Sequence, residues 1–376
     1  AVSVFIDHFI DDLGLSRSVV STLYTVGTLT ASFALPFVGR QIDRRGPRLM
    51  MTVITLFFGL ACIYMGFVRS VVMLGIGFIA LRMLGQGSLS LVSTNVINQW
   101  WVRRRGLAMG IAGVVTALLG GGGFPNLING LIPRYGWSAT YILLGLSLLL
   151  VMLPLAAVFV RNRPEDFGLE PDGGTSEGDS CQAASNRPLE DNWTLGEATH
   201  TKAFWLISAA MASMSMLNTG LTFHIFSIFR DNGLDASIAA AVFVPIAATG
   251  AIVQLGGGVL IDRIPANLLL AAALFIEVLI LIMAPFLFSV PIAFGFGLMM
   301  GVASGLEISV GRVIWAKYYG RRHLGSITGV AITIMVAASA LGPMPMGIAR
   351  DLLGSYEAVL IGCAILPLVL ALANLM

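Results

Sequence analysis

Charge is what this sequence has least of. Only 11 % of its 376 residues are Asp, Glu, Lys or Arg, whereas a soluble domain carries about 25 %. Hydrophobic residues make up 57 % of the chain, and the mean hydropathy is +0.87. A single aqueous core of this size does not hide so much apolar surface, so the solvent of most of the chain is lipid.

The sequence also lacks the motifs of metal sites and enzymes. Its three cysteines lie far apart and form no CxxC pair, so we expect neither a disulfide framework nor a zinc site. There is no HExxH and no GxSxG, and neither Lys202 nor Lys317 precedes a Ser or Thr as in a phosphate-binding loop. We therefore expect no cofactor, no enzymatic activity and no ATP-driven transport. The net charge of +2 says little about partners, and we expect no nucleic-acid partner.

Long apolar runs are what the sequence has instead. Eleven runs have the roughly 20-residue length of a membrane-crossing helix: 19–38, 48–68, 71–97, 106–131, 137–160, 202–229, 236–261, 266–288, 290–316, 324–349 and 355–376. The opening "AVSVFIDHFI" is too short to span and is interpreted as the end of a truncated first helix. The predicted fold class is therefore an all-α membrane protein with twelve helices.

Residues 161–201 interrupt this pattern with a polar, acidic stretch rich in Gly, Pro and Ser, which predicts a flexible linker. We expect one six-helix bundle at 1–160, with helix 1 partial, and another at 202–376. Of the 22 Lys and Arg, 15 fall in one set of alternate loops. Since basic residues are retained on the cytoplasmic side, this bias predicts an integral multi-pass protein, in the plasma (inner) membrane, with the linker and C-terminus cytoplasmic.

A charged turn occurs twice, as "GRQIDR" and, 219 residues later, "GVLIDR". A second pair, "QWWVRRRGLAMG" and "KYYGRRHLGSITG", precedes spans five and eleven. An aspartate from one half can cap the positive N-terminal end of the helix after the basic loop of the other half, which forms a latch that breaks on opening. Alternatively, these charges only set the membrane orientation of the loops by the positive-inside rule. The candidate latch comprises Gly39, Asp43, Arg44, Gly46, Arg48, Arg104, Arg105, Asp262, Arg263, Arg321 and Arg322.

"GRQIDRRGPR" resembles the signature loop of the major facilitator superfamily. "LGLSRSVVS", "INQWWVRRRGLAMGIAG", "RPEDFGLEPDG" and "YYGRRHLGSITG" are similar to bacterial members of its monocarboxylate-transporter-like branch. The resemblance covers the whole chain. It implies two pseudo-symmetric six-helix bundles that work by alternating access around a midplane site.

Ionisable residues within spans are candidates for function because they are costly in lipid. Arg82 lies near the middle of span four with Gln86 one turn on, and its guanidinium suits capture of a carboxylate; a structural pairing within the bundle is the alternative. Asn95 and His224 are further substrate candidates, although a lone interfacial histidine is more often merely hydrogen-bonded. Glu307 in span ten is a candidate proton carrier or, alternatively, the partner of an arginine. Glu277 has no assigned role.

The sequence departs from the resembled branch because spans eight and eleven carry no charge. One intramembrane arginine suits a monoanion or an uncharged polar solute better than a dianion. We expect a secondary transporter that carries a small organic anion, monocarboxylate-like, in symport with protons, in the lipid bilayer and as a monomer. The alternative on the same fold is a proton-driven exporter of hydrophobic or drug-like compounds. A non-transporting receptor is a third reading.

Overall fold

The computed structural model describes residues 5–15, 17–116, 119, 124–173 and 192–375. Within these ranges the chain is helical, with turns and no extended strand. The first sequence half, up to residue 159, contains α1 (Ile6–Leu13), α2 (Arg17–Phe33), α3 (Leu35–Arg45), α4 (Pro47–Met65), α5 (Val71–Leu81), a π-helix (Arg82–Leu89), α6 (Ser90–Trp100), α7 (Arg105–Thr116), α8 (Phe124–Ser147), a second π-helix (Leu148–Met152) and α9 (Leu153–Phe159).

The remaining helices follow the predicted linker. Two 3₁₀ turns, Pro164–Phe167 and Pro171–Gly173, lie at its start, and residues 174–191 fall outside the described part of the chain. The second sequence half contains α10 (Leu195–His200), α11 (Lys202–Asp231), α12 (Ala236–Ala241), α13 (Phe243–Arg263), α14 (Ala266–Met283), a 3₁₀ turn (Ala284–Phe286), α15 (Val290–Tyr319), α16 (Leu324–Leu341), α17 (Pro343–Leu353), α18 (Glu357–Cys363) and α19 (Ile365–Leu375).

Among the described residues, ten helical segments are long and apolar enough to cross a membrane. They match ten of the eleven predicted spans: Thr22–Arg45, Pro47–Met65, Val71–Trp100, Gly130–Phe159, Lys202–Asp231, Ser237–Arg263, Ala266–Phe286, Val290–Tyr319, Leu324–Leu353 and Glu357–Leu375. The eleventh, 106–131, corresponds to the short apolar α7 and the start of α8, and some residues between these helices are not described. The predicted all-α membrane fold is confirmed.

Many large hydrophobic side chains lie on the surface of the helices. Leu150, Phe159 and Leu352 are each more than 70 % exposed, and many other large hydrophobic side chains are more than half exposed. A soluble monomer rarely presents contiguous apolar surface of this kind. Lipid is the solvent in which these side chains are stable, and the chain is therefore an integral multi-pass membrane protein.

The described chain groups into two compact units. The first comprises residues 1–102, 115–195 and 318–333. Inside it, α4 packs on α8 and α2 packs on α5, around an aromatic cluster in which Phe9 contacts Phe78 and Trp137 edge to face. These large rings fix the positions of the helices that carry the charged residues of this unit.

The second unit comprises residues 103–114, 196–317 and 334–376. In it α14 packs along α19, and α11 packs on both α17 and α19. Each unit thus includes one short segment from the other sequence half, 318–333 in the first and 103–114 in the second. The segments contain the starts of α16 and α7, the helices for which an aspartate cap was predicted. The bundle boundary at 161–201 stays a prediction.

Candidate functional site

Asp43 caps the N-terminus of α16 within the first unit. Its Oδ1 accepts a hydrogen bond from the backbone N–H of Gly325 at 2.8 Å, and its Oδ2 accepts one from the N–H of Ser326 at 2.8 Å. The Ser326 hydroxyl donates to the same Oδ2 at 2.5 Å. A carboxylate that takes up free N–H groups at a helix N-terminus is stabilised by both the hydrogen bonds and the helix dipole. Asp43 thus contacts the start of the helix after the second basic loop, and its role as a latch stays a prediction.

Asp262 makes the equivalent contact in the second unit. It accepts from the N–H of Gly106 at 3.0 Å and from the N–H of Leu107 at 3.3 Å, both in the first turn of α7. These distances are longer than those around Asp43, and the charge-assisted bonds are correspondingly weaker. The repeat in the sequence is thus a repeat of one interaction, in which an aspartate at the end of a helix binds the start of another.

A pair of glycines lets the helices approach closely enough for each cap. A side-chain carbon on Gly39 would collide with the carbonyl oxygen of Gly325, and one on Gly106 would collide with that of Gly258. Gly39 and Gly258 each lie one helical turn before the capping aspartate. Only glycine permits this backbone contact. Of these four glycines, only Gly39 is among the residues predicted from the sequence.

Hydrogen bonds of Arg48 hold the first charged turn in place. Arg48, at the start of α4, donates through Nε and Nη2 to the carbonyl of Ala157 at 2.9 and 2.8 Å. Its backbone N–H donates to Asn162 at 3.0 Å. Gly46, with φ +81°, forms the turn between α3 and α4, a conformation that favours glycine. Arg44 is exposed at the end of α3.

Arg321 and Arg322 lie just before α16, still in the first unit. Arg321 donates to the carbonyl of Gln99 at 2.7 Å, while the Gln99 side chain donates to the carbonyl of Arg321 at 2.8 Å. Arg321 also pairs with Glu165 at 2.9 Å. The backbone N–H of Arg322 donates to Asn192 at 3.1 Å. These contacts hold the capped helix end in place.

The predicted basic residues of the second turn differ in environment. Arg105 begins α7 and is only 3 % exposed, whereas Arg104 and Arg263 are exposed. Lys317, near the end of α15, donates to the carbonyl of Ile261 next to the capping aspartate. This lysine is not among the residues predicted from the sequence.

Arg82 lies at the start of the first π-helix, within the span Val71–Trp100, where it is the only charged residue. Its Nη1 donates to the hydroxyl of Tyr24 at 2.9 Å, and its guanidinium stands 4.8 Å from the centre of the Tyr24 ring. Its Nε is buried and has no acceptor among the described residues. Short π-helical turns interrupt α-helices frequently at functional sites. Gln86 is exposed rather than turned into the unit.

Asn95 lies apart from Arg82 on the same membrane span. Thirteen residues of helix separate them, which is about 20 Å at 1.5 Å per residue, so one small solute does not contact both. Asn95 is 2 % exposed and lines a cavity of about 280 Å³ in the first unit beside Asp43. The structure therefore brings Asn95 together with the cap.

Glu307 lines a second cavity, of about 420 Å³, within the second unit. The wall opposite its helix α15 is a face of α11 that offers the hydroxyl and amide groups of Ser215, Asn218, Thr219 and Thr222, beside the ring of Phe223. Glu277 on α14 is 3 % exposed, does not line this cavity, and has one carboxyl oxygen without a partner among the described residues. Arg312 donates to the carbonyl of Met109 at 3.4 Å.

His224 is held by two partners in the second unit. Its Nε2 donates to the carbonyl of Pro343 at 3.0 Å, and Tyr356 lies with its hydroxyl 3.1 Å from Nδ1. It is not among the residues that line the Glu307 cavity. Within the described part of the chain, no group of three or more His, Cys, Asp or Glu is placed to hold a metal ion.

Two units of membrane-length helices, each with a capped helix end at a repeated charged turn and an ionisable residue within a span, define a polytopic membrane protein. The chain belongs to the Major Facilitator Superfamily, whose family model matches residues 1–343. It is a transporter of that superfamily.

Among the proteins that are similar to it are two named transporters and one solved structure. The probable sulfoacetate transporter SauU of Cupriavidus necator is 26 % identical, covering 92 % of this chain and 82 % of that protein. The oxalate:formate antiporter of Oxalobacter formigenes is 27 % identical over 61 % of this chain and 50 % of its own length. The crystal structure of the human organic anion transporter MFSD10 (TETRAN) superposes with a TM-score of 0.72 at 15 % identity, covering 98 % of this chain and 88 % of that one, which shows a shared fold.

Proposed function

We propose that the protein moves a small organic anion across the membrane by alternating access, in symport with protons, with Arg82 as the anion-binding residue and Glu307 as the proton carrier. The observation that carries the proposal is the placement of Arg82. It is the one charged group of a long membrane span, and part of its guanidinium has no acceptor among the described residues.

The environment of Arg82 supports anion capture. The Tyr24 hydroxyl accepts a hydrogen bond from only one end of the guanidinium. Other N–H groups of Arg82 are therefore left to donate to a carboxylate. The cation–π contact with the tyrosine ring holds the planar fork in one orientation without neutralising its charge. A preoriented arginine binds carboxylates through two parallel hydrogen bonds, which makes it selective for that shape of ligand.

The environment of Glu307 supports proton uptake. The carboxyl borders a cavity whose other wall carries hydroxyl groups, and water in such a cavity gives a route for protons. Taking a carboxylate out of water disfavours its charged form, so a change in access to water changes its tendency to bind a proton. Alternating access supplies such a change in each cycle.

The chemistry of the relatives supports an organic anion as substrate. Sulfoacetate, oxalate and formate, named for two relatives, all carry a carboxylate. Sulfoacetate and oxalate are dianions at neutral pH, and formate is a monoanion. A single intramembrane arginine near the anion site favours a monoanion for this chain, because a second negative charge would lack a fixed partner.

The two predicted bundles, 1–160 and 202–376, would move against each other while the linker 161–201 spans them. We place the charged turns, the linker and the C-terminus in the cytoplasm, because 15 of the 22 basic residues lie on that side of the predicted topology. The Asp43 and Asp262 caps would then close the cytoplasmic side and break when it opens. An inner-membrane location and a monomer complete the proposal.

The test is uptake into proteoliposomes that contain the full-length protein, with and without an inward proton gradient. Labelled formate, acetate and lactate represent monoanions, and oxalate and sulfoacetate represent dianions. We expect gradient-driven accumulation of at least one monoanion and a preference for monoanions over dianions. Arg82→Gln should abolish uptake, and Arg82→Lys should raise KM because it keeps the charge but loses the fork.

The variant Glu307→Gln separates coupling from transport. It should abolish gradient-driven accumulation while sparing substrate exchange across the membrane. Glu277→Gln is the matched control, since it alters a buried carboxyl of the same unit that does not line the cavity. Accumulation that survives Glu307→Gln would refute the coupling role. Extrusion of amphipathic drugs with no anion flux would instead favour the exporter reading.

A further inference from the structure

The geometry points to a binding site for a small oxyanion, separate from the transport site, in the cavity beside Asp43. This cavity of about 280 Å³ lies entirely within the first unit, at the capped end of α16. The proposed transport cycle uses the neighbouring Asp43 cap but places no ligand in this cavity. Its ligand is a phosphate-like or carboxylate-like group, supplied either by a free cytoplasmic anion or by the head group of an anionic lipid.

The charge of the lining favours an anion. Four arginines and two aspartates border the cavity, which leaves it net positive. The carboxylate of Asp43 is already taken up by the N–H groups of α16, so it offers little to a cation. Guanidinium groups around one small space repel each other, and an oxyanion between them removes that repulsion. The four arginines are Arg44, Arg45, Arg163 and Arg322.

A buried donor in the wall distinguishes this cavity from a merely basic surface. Asn95 is 2 % exposed, lines the cavity, and its Nδ2 has no acceptor among the described residues. A buried N–H group without an acceptor is costly, and native proteins rarely keep one without a reason. An oxyanion in the cavity provides the missing acceptor.

The site joins distant parts of the sequence at the cap. Arg44 ends α3, Asn95 lies on α6, and Arg322 precedes α16 by two residues. An anion held by Arg44 and Arg322 ties the helix that carries Asp43 to the helix that Asp43 caps. Anion binding therefore stabilises the capped state. The site is also about 20 Å along the helix from Arg82, so its occupant is not the solute bound at Arg82.

Inorganic phosphate is the first probe, with the full-length protein in nanodiscs of uncharged phosphatidylcholine. Phosphate is titrated at constant ionic strength against chloride, and the thermal unfolding midpoint is recorded. We expect a saturable rise with phosphate that chloride does not reproduce. Arg44→Gln and Arg322→Gln, which change exposed side chains, should each weaken the apparent phosphate affinity at least tenfold.

Arg40→Gln is the matched control. Arg40 is an exposed arginine one turn before Arg44 on the same helix and does not line the cavity, so its loss should leave the phosphate response unchanged. Asn95→Asp replaces the buried donor by an acceptor of equal size and should abolish the response. If that variant does not fold, the two arginine variants still decide the question.

A second arm identifies the source of the anion. If nanodiscs with phosphatidylglycerol raise the thermal unfolding midpoint and phosphate then raises it no further, a lipid head group fills the same site. The absence of a saturable shift with either source would overturn the proposal. So would an equal loss in Arg40→Gln, which would indicate diffuse surface charge. Neither result bears on Arg82 and Glu307, whose test is uptake.

Discussion

The contact between Asp43 and the start of α16 yields a prediction whose size follows from the structure. The variant Asp43→Asn keeps one side-chain oxygen but replaces the other by an amide, which cannot accept from the N–H of Ser326. One of two charge-assisted bonds of 2.8 Å is lost, together with the negative charge at a helix N-terminus. A hydrogen bond to a charged group is worth about 1.5–3 kcal/mol. Since 1.4 kcal/mol is tenfold in an equilibrium constant, the first turn of α16 should open roughly 10- to 100-fold more often.

Hydrogen–deuterium exchange of the protein in nanodiscs measures this opening directly. In Asp43→Asn the amides of residues 325–328 should exchange faster by that factor, whereas those in the middle of α14 should not change. The variant Asp262→Asn provides the mirror experiment, with faster exchange at the start of α7. Its effect should be smaller because its bonds are 3.0 and 3.3 Å long. Unchanged exchange at α16, or equal acceleration throughout the protein, would refute the interpretation of Asp43 as a specific cap.

Three further predictions concern single residues. Gly258→Ala should lower the thermal unfolding midpoint and impair transport, because the added methyl group would meet a backbone carbonyl of α7 and overpacking costs about 1–3 kcal/mol. Gly256→Ala is the control: this position on the same helix has open space, so the variant should behave as wild type in both assays. Tyr24→Phe keeps the ring beside Arg82 but removes the 2.9 Å hydrogen bond, so KM for the anion should rise roughly tenfold. A change in kcat alone would count against a role of Tyr24 in orienting Arg82. Glu277→Leu should raise the thermal midpoint, since it removes a buried carboxyl oxygen without a partner among the described residues; a lower midpoint would show that the carboxyl is stabilising.

The membrane fold could be predicted because its signal is local. A span is recognised from about 20 consecutive apolar residues, and lipid enforces helical structure on each of them. The break between spans five and six was expected at 131–137, and the structure places it at Gly136, which has φ +78° inside α8. Length and hydropathy cannot, however, locate a kink or a π-helix within a span. The π-helical turn that begins at Arg82 was therefore not anticipated.

The caps could be predicted in part because a repeat in the sequence marks both of them. An aspartate at the same position in two halves requires a common physical role, and the free N–H groups of a helix start provide one. The facing residues Gly106, Gly258 and Gly325 were missed, because a close approach depends on a pair of helices and neither partner reveals it alone. The same holds for Tyr24, whose contact with Arg82 joins residues 58 positions apart.

The division between repeated and unrepeated features agrees with the transport cycle that we propose. The Asp caps and the glycine pairs occur twice, and a change of access by two similar units needs paired contacts of this kind. Arg82 and Glu307 occur once each, in different units. Recognition of one asymmetric solute and uptake of one proton do not require symmetry, and duplication of a charge within a membrane span would add its cost twice. Substitutions in the repeated contacts should therefore alter the rate of transport for every substrate, whereas substitutions at the two single residues should alter which solute is carried and whether protons drive it.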